Sequence, residues 1–346
     1  MSRIARSASV FLITFAVAAC SADEPTPTGL ASPELAKVEI VPSPVTYAVI
    51  GDVPYGASAF AQFPTLIGGI NDDLDVQLAV HVGDIKSGST ECTDEWFEDI
   101  ADDFATFSDP LVYSIGDNEW TDCHRANNGG YEPLGRLAKL REIFFANPGT
   151  TLGAPMSVDA EPNYPENQRW SAGGAMFATF HVIGSNNGLE PWFTQAGQAG
   201  ETPEQTRARE QEVRRRQAAN IHWLEQTFAK AQAEGAAGVV LFLHADLWHP
   251  DDRADGAVFT AHEAFVARLA QRARSFGGPV LIVSGDSHDF RVDAGVPWFE
   301  LYGVEPQPNV TQIIVDRSIE DDIVFLKLTV DASTPAVFSW SEVTVP

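Results

Sequence analysis

The chain of 346 residues is poor in basic side chains: 22 Lys and Arg stand against 48 Asp and Glu, a formal charge of −26. A surface this negative repels a phosphate backbone, which argues against a nucleic-acid partner. It also repels a small phosphorylated molecule, unless bound cations reverse the field locally. Cysteine is scarce too. Only Cys20, Cys92 and Cys123 occur, too few for a thiolate zinc site of the usual kind. The apolar run Ser9–Ala16 is too short to span a bilayer. No Gly-x-Ser-x-Gly turn is present, so a serine hydrolase built on that turn has no support. The chain does have 44% hydrophobic and 10% aromatic residues, ample for a buried core.

The first residues read as a targeting segment. Arg3 and Arg6 precede the apolar run, which ends in Val17-Ala18-Ala19-Cys20; this is a secretory signal pattern. Its ending resembles a bacterial lipobox, in which Cys20 is lipidated and becomes the mature N-terminus. An ordinary signal peptide with a chance cysteine is the alternative. The expectation is a signal peptide over 1–19 and an exported protein, on the periplasmic face or cell surface. It would be held to the membrane through an N-terminal lipid only. Residues 20–44 carry Pro25, Pro27, Pro33, Pro42 and Pro44 among small polar residues, a semi-extended tether. Residues 45–346 then form one domain. Cys92 and Cys123 remain as an even pair, which in an exported chain argues for a structural disulfide.

From Val45 onward, short β-branched runs appear at Val45–Ile50, Val76–Val82, Pro110–Ile115, Ala175–Ile183, Ala237–Leu243 and Pro279–Val283. Near-continuous apolar runs of this length are the mark of strands buried on both faces. Helical stretches separate several of them. One opens at Thr202-Pro203-Glu204-Gln205, a capping box with proline at the first helical position. It runs towards Gly235, long enough to suggest an internal break. A second helix is predicted over Ala261–Arg274. Thr311–Val315, Ile323–Val330 and Ala336–Val345 read as antiparallel strands without intervening helices. The fold class is α/β with a β-rich end.

Four Gly-Asp pairs, Gly51-Asp52, Gly83-Asp84, Gly116-Asp117 and Gly285-Asp286, each follow an apolar run. Each Asp therefore emerges at the C-terminal end of a buried strand, where glycine allows a sharp turn and ligands of open α/β sheets bind. The runs ending in Leu243-His244-Ala245-Asp246 and Ile183-Gly184-Ser185-Asn186-Asn187 finish similarly, and His288 follows Asp286 by two residues. Carboxylates converging on one crevice repel each other and raise their own pKa values; divalent cations remove the conflict. Taken singly, each pair is also a common turn or helix cap.

The order Gly-Asp52, Gly-Asp84, Gly-Asp117-Asn118-Glu119, His244 and Gly-Asp286-Ser287-His288 resembles the calcineurin-like metallophosphoesterases, over roughly residues 46 to 295. The resemblance implies a four-layer α/β/β/α sandwich of two facing mixed β-sheets. It implies two divalent or trivalent ions, Mn, Fe or Zn, with Asp52, Asp84 and His288 on the first. Asp84 would bridge to the second, which also takes Asp117, His244 and Asp286. It further implies attack on phosphorus by a hydroxide held at the two-metal site. The substrate would be a small phosphomonoester, diester or nucleotide.

The departures from the family pattern are at named positions. Asp-x-His is here Asp52-Val53-Pro54-Tyr55, so an imidazole is lost and Tyr55 becomes a possible metal ligand in its place. Gly-Asn-His-Glu is here Gly116-Asp117-Asn118-Glu119, with Asn118 where the catalytic histidine usually stands; a one-residue shift would make Asn118 the ligand instead. Gly-His-x-His is Gly285-Asp286-Ser287-His288. His124 could take over the lost catalytic part and Arg125 could bind a phosphate oxygen. A Cys92–Cys123 bridge would pin the loops after Asp84 and Asp117 and fix both residues near the metals. Among the remaining histidines, His81 and His181 read as core residues, His222 as packing beside Trp223, and His262 as an ordinary helix residue. His249 is a possible extra site residue, and Asp246 a partner steadying an imidazole. The lost imidazoles leave a second reading open, a non-catalytic surface lipoprotein that keeps the fold for binding a ligand or partner.

Overall fold

The computed structural model describes residues 42–249, 260–296, 298–318 and 323–346. The expected signal peptide, Cys20 and most of the tether lie outside the described residues. β1 (Val45–Ile50), β2 (Leu78–His81) and β3 (Pro110–Tyr113) run parallel in one sheet, with Ile50, His81 and Tyr113 in register at their C-terminal ends. β4 (Leu152–Gly153), β12 (Val324–Val330) and β13 (Phe338–Thr344) complete this sheet in the order β13-β12-β1-β2-β3-β4. The second sheet contains β7 (Ala175–Phe180), β8 (Val239–Leu243), β9 (Val280–Ser284) and β11 (Val310–Ile314), all parallel. β5 (Asp159–Glu161), β6 (Tyr164–Ala172) and β10 (Arg291–Ala294) fill the order β10-β11-β9-β8-β7-β6-β5.

The two-residue period of a strand sends alternate side chains to opposite faces, and here both faces are apolar. Tyr47 and Val49 of β1 meet Val240 and Phe242 of β8 in a core between the sheets, which also holds Trp170 stacked on Phe177 and Phe242. Ala48 and Ile50 face the other way, towards α1 (Gly56–Asp72), α2 (Asp94–Phe104) and α3 (Pro133–Phe144). Leu241 and Leu243 of β8 and Ile282 of β9 pack outward against α4 (Pro203–Glu234) and α5 (Glu263–Phe276). Three apolar layers between four layers of secondary structure make the α/β/β/α sandwich of two mixed sheets.

Three readings of the sequence are corrected. α4 has no break: it runs 32 residues from the Thr202 capping box to Gly235 in the left-handed conformation. It contains no glycine and no proline after Pro203, and residues such as Val213, Asn220, Leu224, Phe228 and Ala231 bury one continuous face. β11 pairs parallel with β9 rather than joining an antiparallel meander. The chain crosses over through the short helix α6 (Trp298–Tyr302) before β11 forms, and a crossover returns a strand in the same direction. His222 is exposed and hydrogen-bonds Gln226 at 2.9 Å instead of packing beside Trp223.

Among the described residues no helix is long and apolar enough to cross a membrane. Cys92 and Cys123 form a disulfide that closes 31 residues of chain. It joins the loop after β2 to the loop after β3, both at the C-terminal edge of the sheet. A loop of this size restricts the unfolded chain by about 3–4 kcal/mol. We expect the Cys92→Ser, Cys123→Ser double variant to melt several degrees lower, by about 5 °C on that basis. A melting temperature unchanged by the substitutions would assign the bridge no part in stability.

Candidate metal centre

Because β1–β3 and β7–β9 are parallel, their C-terminal ends lie along one edge of the sandwich, and the sheets are stitched there. Asp52 N donates to Gly83 O at 3.0 Å, Gly285 N to His244 O at 3.1 Å, and Asp286 N to both oxygens of Asp52 at 3.1 Å. The glycines are there because nothing larger fits. A Cβ on Gly116 would stand 2.2 Å from Asp84 Oδ1, one on Gly285 2.2 Å from Asp52 Oδ2, and one on Gly83 2.9 Å from His244 Nδ1. One on Gly184 would meet Asp117 Oδ2 and Asp286 Oδ2, each at 2.7 Å.

These turns gather five of the six ligand residues expected from the sequence into two donor groups, with Asp286 in neither. Asp52, Asp84 and His288 form one donor group, and Asp84, Asp117 and His244 another, the donor atoms of each lying within 4.8 Å of one another. Asp84 belongs to both. His244, fully buried, has its Nε2 3.3 Å from Asp84 Oδ1, 3.4 Å from Asp117 Oδ1 and 3.6 Å from Asp286 Oδ1, with a well-formed hydrogen bond to none. A buried ring nitrogen facing three carboxylates without a bonded partner is the arrangement a cation resolves, so the donor set fits the expected metals. Asp52, Asp84, Asp286 and His288 all have left-handed φ, between 55° and 73°. That conformation costs about 1 kcal/mol or more at each non-glycine residue and concentrates at functional sites.

Tyr55 stands where the sequence suggested. Its hydroxyl donates to Asp84 Oδ2 at 2.5 Å and lies 3.3 Å from Asp52 Oδ1, while its ring meets His288 edge-on. Asn118 is drawn into the same cluster. Its backbone N–H donates to Asp84 Oδ1 at 3.1 Å, and its side-chain amide donates to Tyr55 Oη at 3.0 Å and to Asp84 Oδ2. His124 ends the short 3-10 segment Thr121–His124, and Arg125 links it to the next, Ala126–Asn128. His124 Nδ1 accepts from Phe193 N at 2.9 Å, and Arg125 Nη1 pairs with Asp122 at 2.7 Å. A Cβ on Gly88 would come 3.1 Å from Asn118 Oδ1 and 3.5 Å from Arg125 Nη1, so both line one small gap.

His81 and His181 are buried as expected, the first holding Val53 O at 2.8 Å and the second Glu166 at 2.8 Å. Asp246 is not the partner of an imidazole. It accepts from Ser287, Arg291 and Gln312, each at 2.6 Å, because its side chain turns towards the β10–β11 edge. His262 is more than an ordinary helix residue: it caps α5, is buried, and its Nε2 lies 3.0 Å from Ile183 O. With His249, Ser185, Asn186, Asp246 and Ser287 it borders a cavity of about 290 Å³ beside Asp286.

Four supporting residues were missed by sequence reasoning. Glu119 Oε1 accepts from Gly116 N, Asp84 N and Tyr113 Oη and clamps the two turns together. Ser185 Oγ donates to Asp117 Oδ2 at 2.7 Å from a left-handed turn, Gly184–Gly188, that the buried Arg216 grips through Asn187 O at 2.8 Å. Lys86, fully buried, donates to Asn118 O at 2.7 Å. Arg317 lies with its guanidinium carbon 5.6 Å from the Tyr55 ring centre, and its N–H donates to His288 O at 3.1 Å. Glu119 and Ser185 stood in segments the sequence marked out, without a role of their own, and Lys86 follows Asp84 by two residues; Arg317 acts from a remote element with no pattern to mark it.

The electrostatics show the conflict the sequence foretold. Burial lifts the Asp52 carboxyl to about 6 and Asp286 to about 7, against opposing attraction from His244, and lifts Asp84 well above its ordinary value. Asp117 alone is held near 2: burial pushes it up, but the His244 imidazole and the Ser185 hydroxyl outweigh it. His244 is raised well above 6.5, because Asp84, Asp286 and Asp117 surround it and overcome its burial.

No protein-family model matches this chain, and no curated protein matches it in sequence. Among solved structures, it is similar to the purple acid phosphatase PPD1 from yellow lupin (Lupinus luteus) seeds, at 11% identity and a TM-score of 0.46. That match covers 88% of this chain and 54% of the lupin chain, so the protein spans about half the length of that neighbour. It is also similar to GAP50, the anchor in the inner membrane complex of Plasmodium, at 10% identity and a TM-score of 0.40, covering 88% of this chain and 89% of the other.

Carboxyls whose folded pKa lies above the unfolded 3.8 contribute stability that is complete below about pH 4 and is lost as the pH rises through 6 to 7. Asp117 acts in the opposite sense but only below pH 4, outside this window. Water moderates the effect at Asp286, whose side chain is 30% exposed. Between pH 5 and pH 8 the histidines His81, His124, His181, His262 and His288, each held down to about 4 chiefly by burial, act in the opposite sense, so the carboxyl contribution is read by difference. Without metal, Asp286→Asn protein is expected to gain melting temperature relative to the wild type on going from pH 5 to pH 8, by about 3 °C. A difference between the two proteins that does not change with pH would contradict this. Gly116→Ala, whose methyl would strike Asp84, should lower metal content at least tenfold by emission spectroscopy.

Proposed function

We propose that the protein is a metal-dependent phosphoesterase acting outside the cytoplasm on a phosphomonoester, diester or nucleotide. The observation that carries this reading is the pair of donor groups sharing Asp84 at the ends of parallel strands. In it Asp52, Asp84 and His288 hold one ion and Asp84, Asp117, His244 and Asp286 the other. Cations bound there supply Lewis acidity, drawing charge from phosphoryl oxygens and making water acidic enough to attack at neutral pH.

The chain's own residues do the rest. Glu119 and Ser185 fix the carboxylates so that they need not reorganise, the condition under which electrostatic stabilisation is strongest. Asn118 offers amide N–H groups in place of the family's imidazole; it can orient a phosphoryl oxygen but cannot exchange a proton. The proton that the leaving group takes up comes from water, and His124 offers its ring N–H to the leaving oxygen as a hydrogen-bond donor. Its Nδ1 accepts from Phe193 N, which puts the proton of the neutral ring on Nε2. Burial, then the Arg125 charge, pushes its pKa down to about 4. Arg125 orients a phosphoryl oxygen with the guanidinium nitrogens not engaged by Asp122. Tyr55 stands close enough to Asp52 and Asp84 to complete the first ion's ligands. The cavity beside Asp286 receives the leaving group.

Export is supported by the Cys92–Cys123 bridge, since disulfides persist in oxidising compartments; with Cys20 lipidated, the enzyme is a membrane-anchored lipoprotein. The second reading, a non-catalytic lipoprotein that keeps the fold to bind a ligand or partner, draws on one observation. Asn118 holds Asp84 and Tyr55 in a closed hydrogen-bond cluster with no acid–base capacity of its own.

Mature protein supplied with Mn, Fe or Zn should release p-nitrophenol from model phosphate esters. Asp84→Asn should lower kcat at least a thousandfold and remove both ions by elemental analysis. Turnover and metal content that survive Asp84→Asn would refute the assignment, and two bound ions without turnover on any ester would favour the second reading.

A further inference from the structure

Arg125, the phosphate-binding arginine suggested by the sequence, shares its guanidinium with Asp122, which pairs with Nη1 at 2.7 Å. Arg317 is the contrasting case. It follows β11 at the same edge, half-buried, with its guanidinium over the Tyr55 ring and its backbone tied to His288. Its side chain thus borders the donor group of Asp52, Asp84 and His288. Most arginines of this acidic chain are ion-paired, among them Arg136, Arg141, Arg209 and Arg291. Arg317 has no carboxylate partner among the described residues, and its Nε is buried without a hydrogen bond. An arginine with no carboxylate partner among the described residues, beside the donor group of Asp52, Asp84 and His288 and held in place by an aromatic face, presents a fork of donors suited to an oxyanion.

We propose that Arg317 binds a second anionic group on the substrate, so that the preferred substrates are phosphate esters or anhydrides carrying an adjacent phosphoryl or carboxylate. The inference rests on the phosphoesterase reading. The phosphoryl group that reacts lies between the two donor groups, and the second anion extends past Tyr55 to the Arg317 fork. A charge-assisted pair of this kind separates ligands with and without the second anion by roughly tenfold or more.

Equilibrium binding tests this without turnover. Manganese-loaded protein would be titrated with methylphosphonate and with methylenediphosphonate, neither of which is hydrolysed, and the ratio of the two Kd values taken. Arg317→Gln should reduce the preference for the diphosphonate at least tenfold, with the methylphosphonate Kd changed far less. Arg317→Lys should retain part of the preference, and it provides a folded variant if the glutamine form is unstable. Equal preference in the wild type and both variants overturns the role of Arg317 and leaves the phosphoesterase reading intact. Binding of neither phosphonate by metal-loaded protein overturns both.

Discussion

Buried carboxylates crowded around one imidazole govern the rest of this molecule. Asp84, Asp117 and Asp286 all reach towards His244 Nε2, and Asp52 shares their edge of the sandwich. In a low-dielectric setting such a group is tolerated only if protons or cations neutralise it. Much of the surrounding architecture opposes the spreading that repulsion would cause. Backbone N–H groups of Asn118 and Asp286 point at Asp84 and Asp52, and Ser185 holds Asp117. Glycines at 83, 116, 184 and 285 let the turns close to distances no side chain would allow.

The same constraint explains the network behind the site. The left-handed turn that carries Ser185 would be exposed to strain were it not gripped from below. Arg216 and Asn220, reaching across from α4, hold the backbone carbonyls of Asn187 and His181. Both residues are fully buried, so α4 is a structural element of the site as well as a cover for the second sheet. Its unbroken length follows from this double duty. A kink would separate the apolar half, packed on β7 and β8, from the polar half that fixes the turn. Opposite it, the Cys92–Cys123 bridge and Lys86 converge on Asn118 O. The loop that carries Asn118 is therefore anchored through its backbone as well as its side chain.

Much of the fold was legible in the sequence because strand burial leaves a local mark. Runs such as Val45–Ile50 and Pro279–Val283 are apolar on both faces, and only a strand between two layers needs that. The placement of Asp52, Asp84, Asp117 and Asp286 after those runs fixed their position at one sheet edge. Partners that act across the fold left no such trace. Arg317 is a single cation in an unremarkable segment, and Asp246 has the right spacing from His244 but turns to Arg291 instead. The direction of β11 was likewise hidden, since an alternating apolar run reads the same whether its neighbour is parallel or antiparallel.

What the sequence by itself determined is the set of acids and imidazoles and the strand ends that present them, because side-chain period and turn chemistry are local properties. What only the tertiary structure decided is which atoms meet. Asp84 is shared by two donor groups, Tyr55 lies against it, Arg125 pairs with Asp122 and Arg317 lies over Tyr55. Those outcomes depend on distances between segments far apart in the chain, such as those of Tyr55 and Arg317. Such distances are set by how two twisted sheets pack, which no stretch of sequence records.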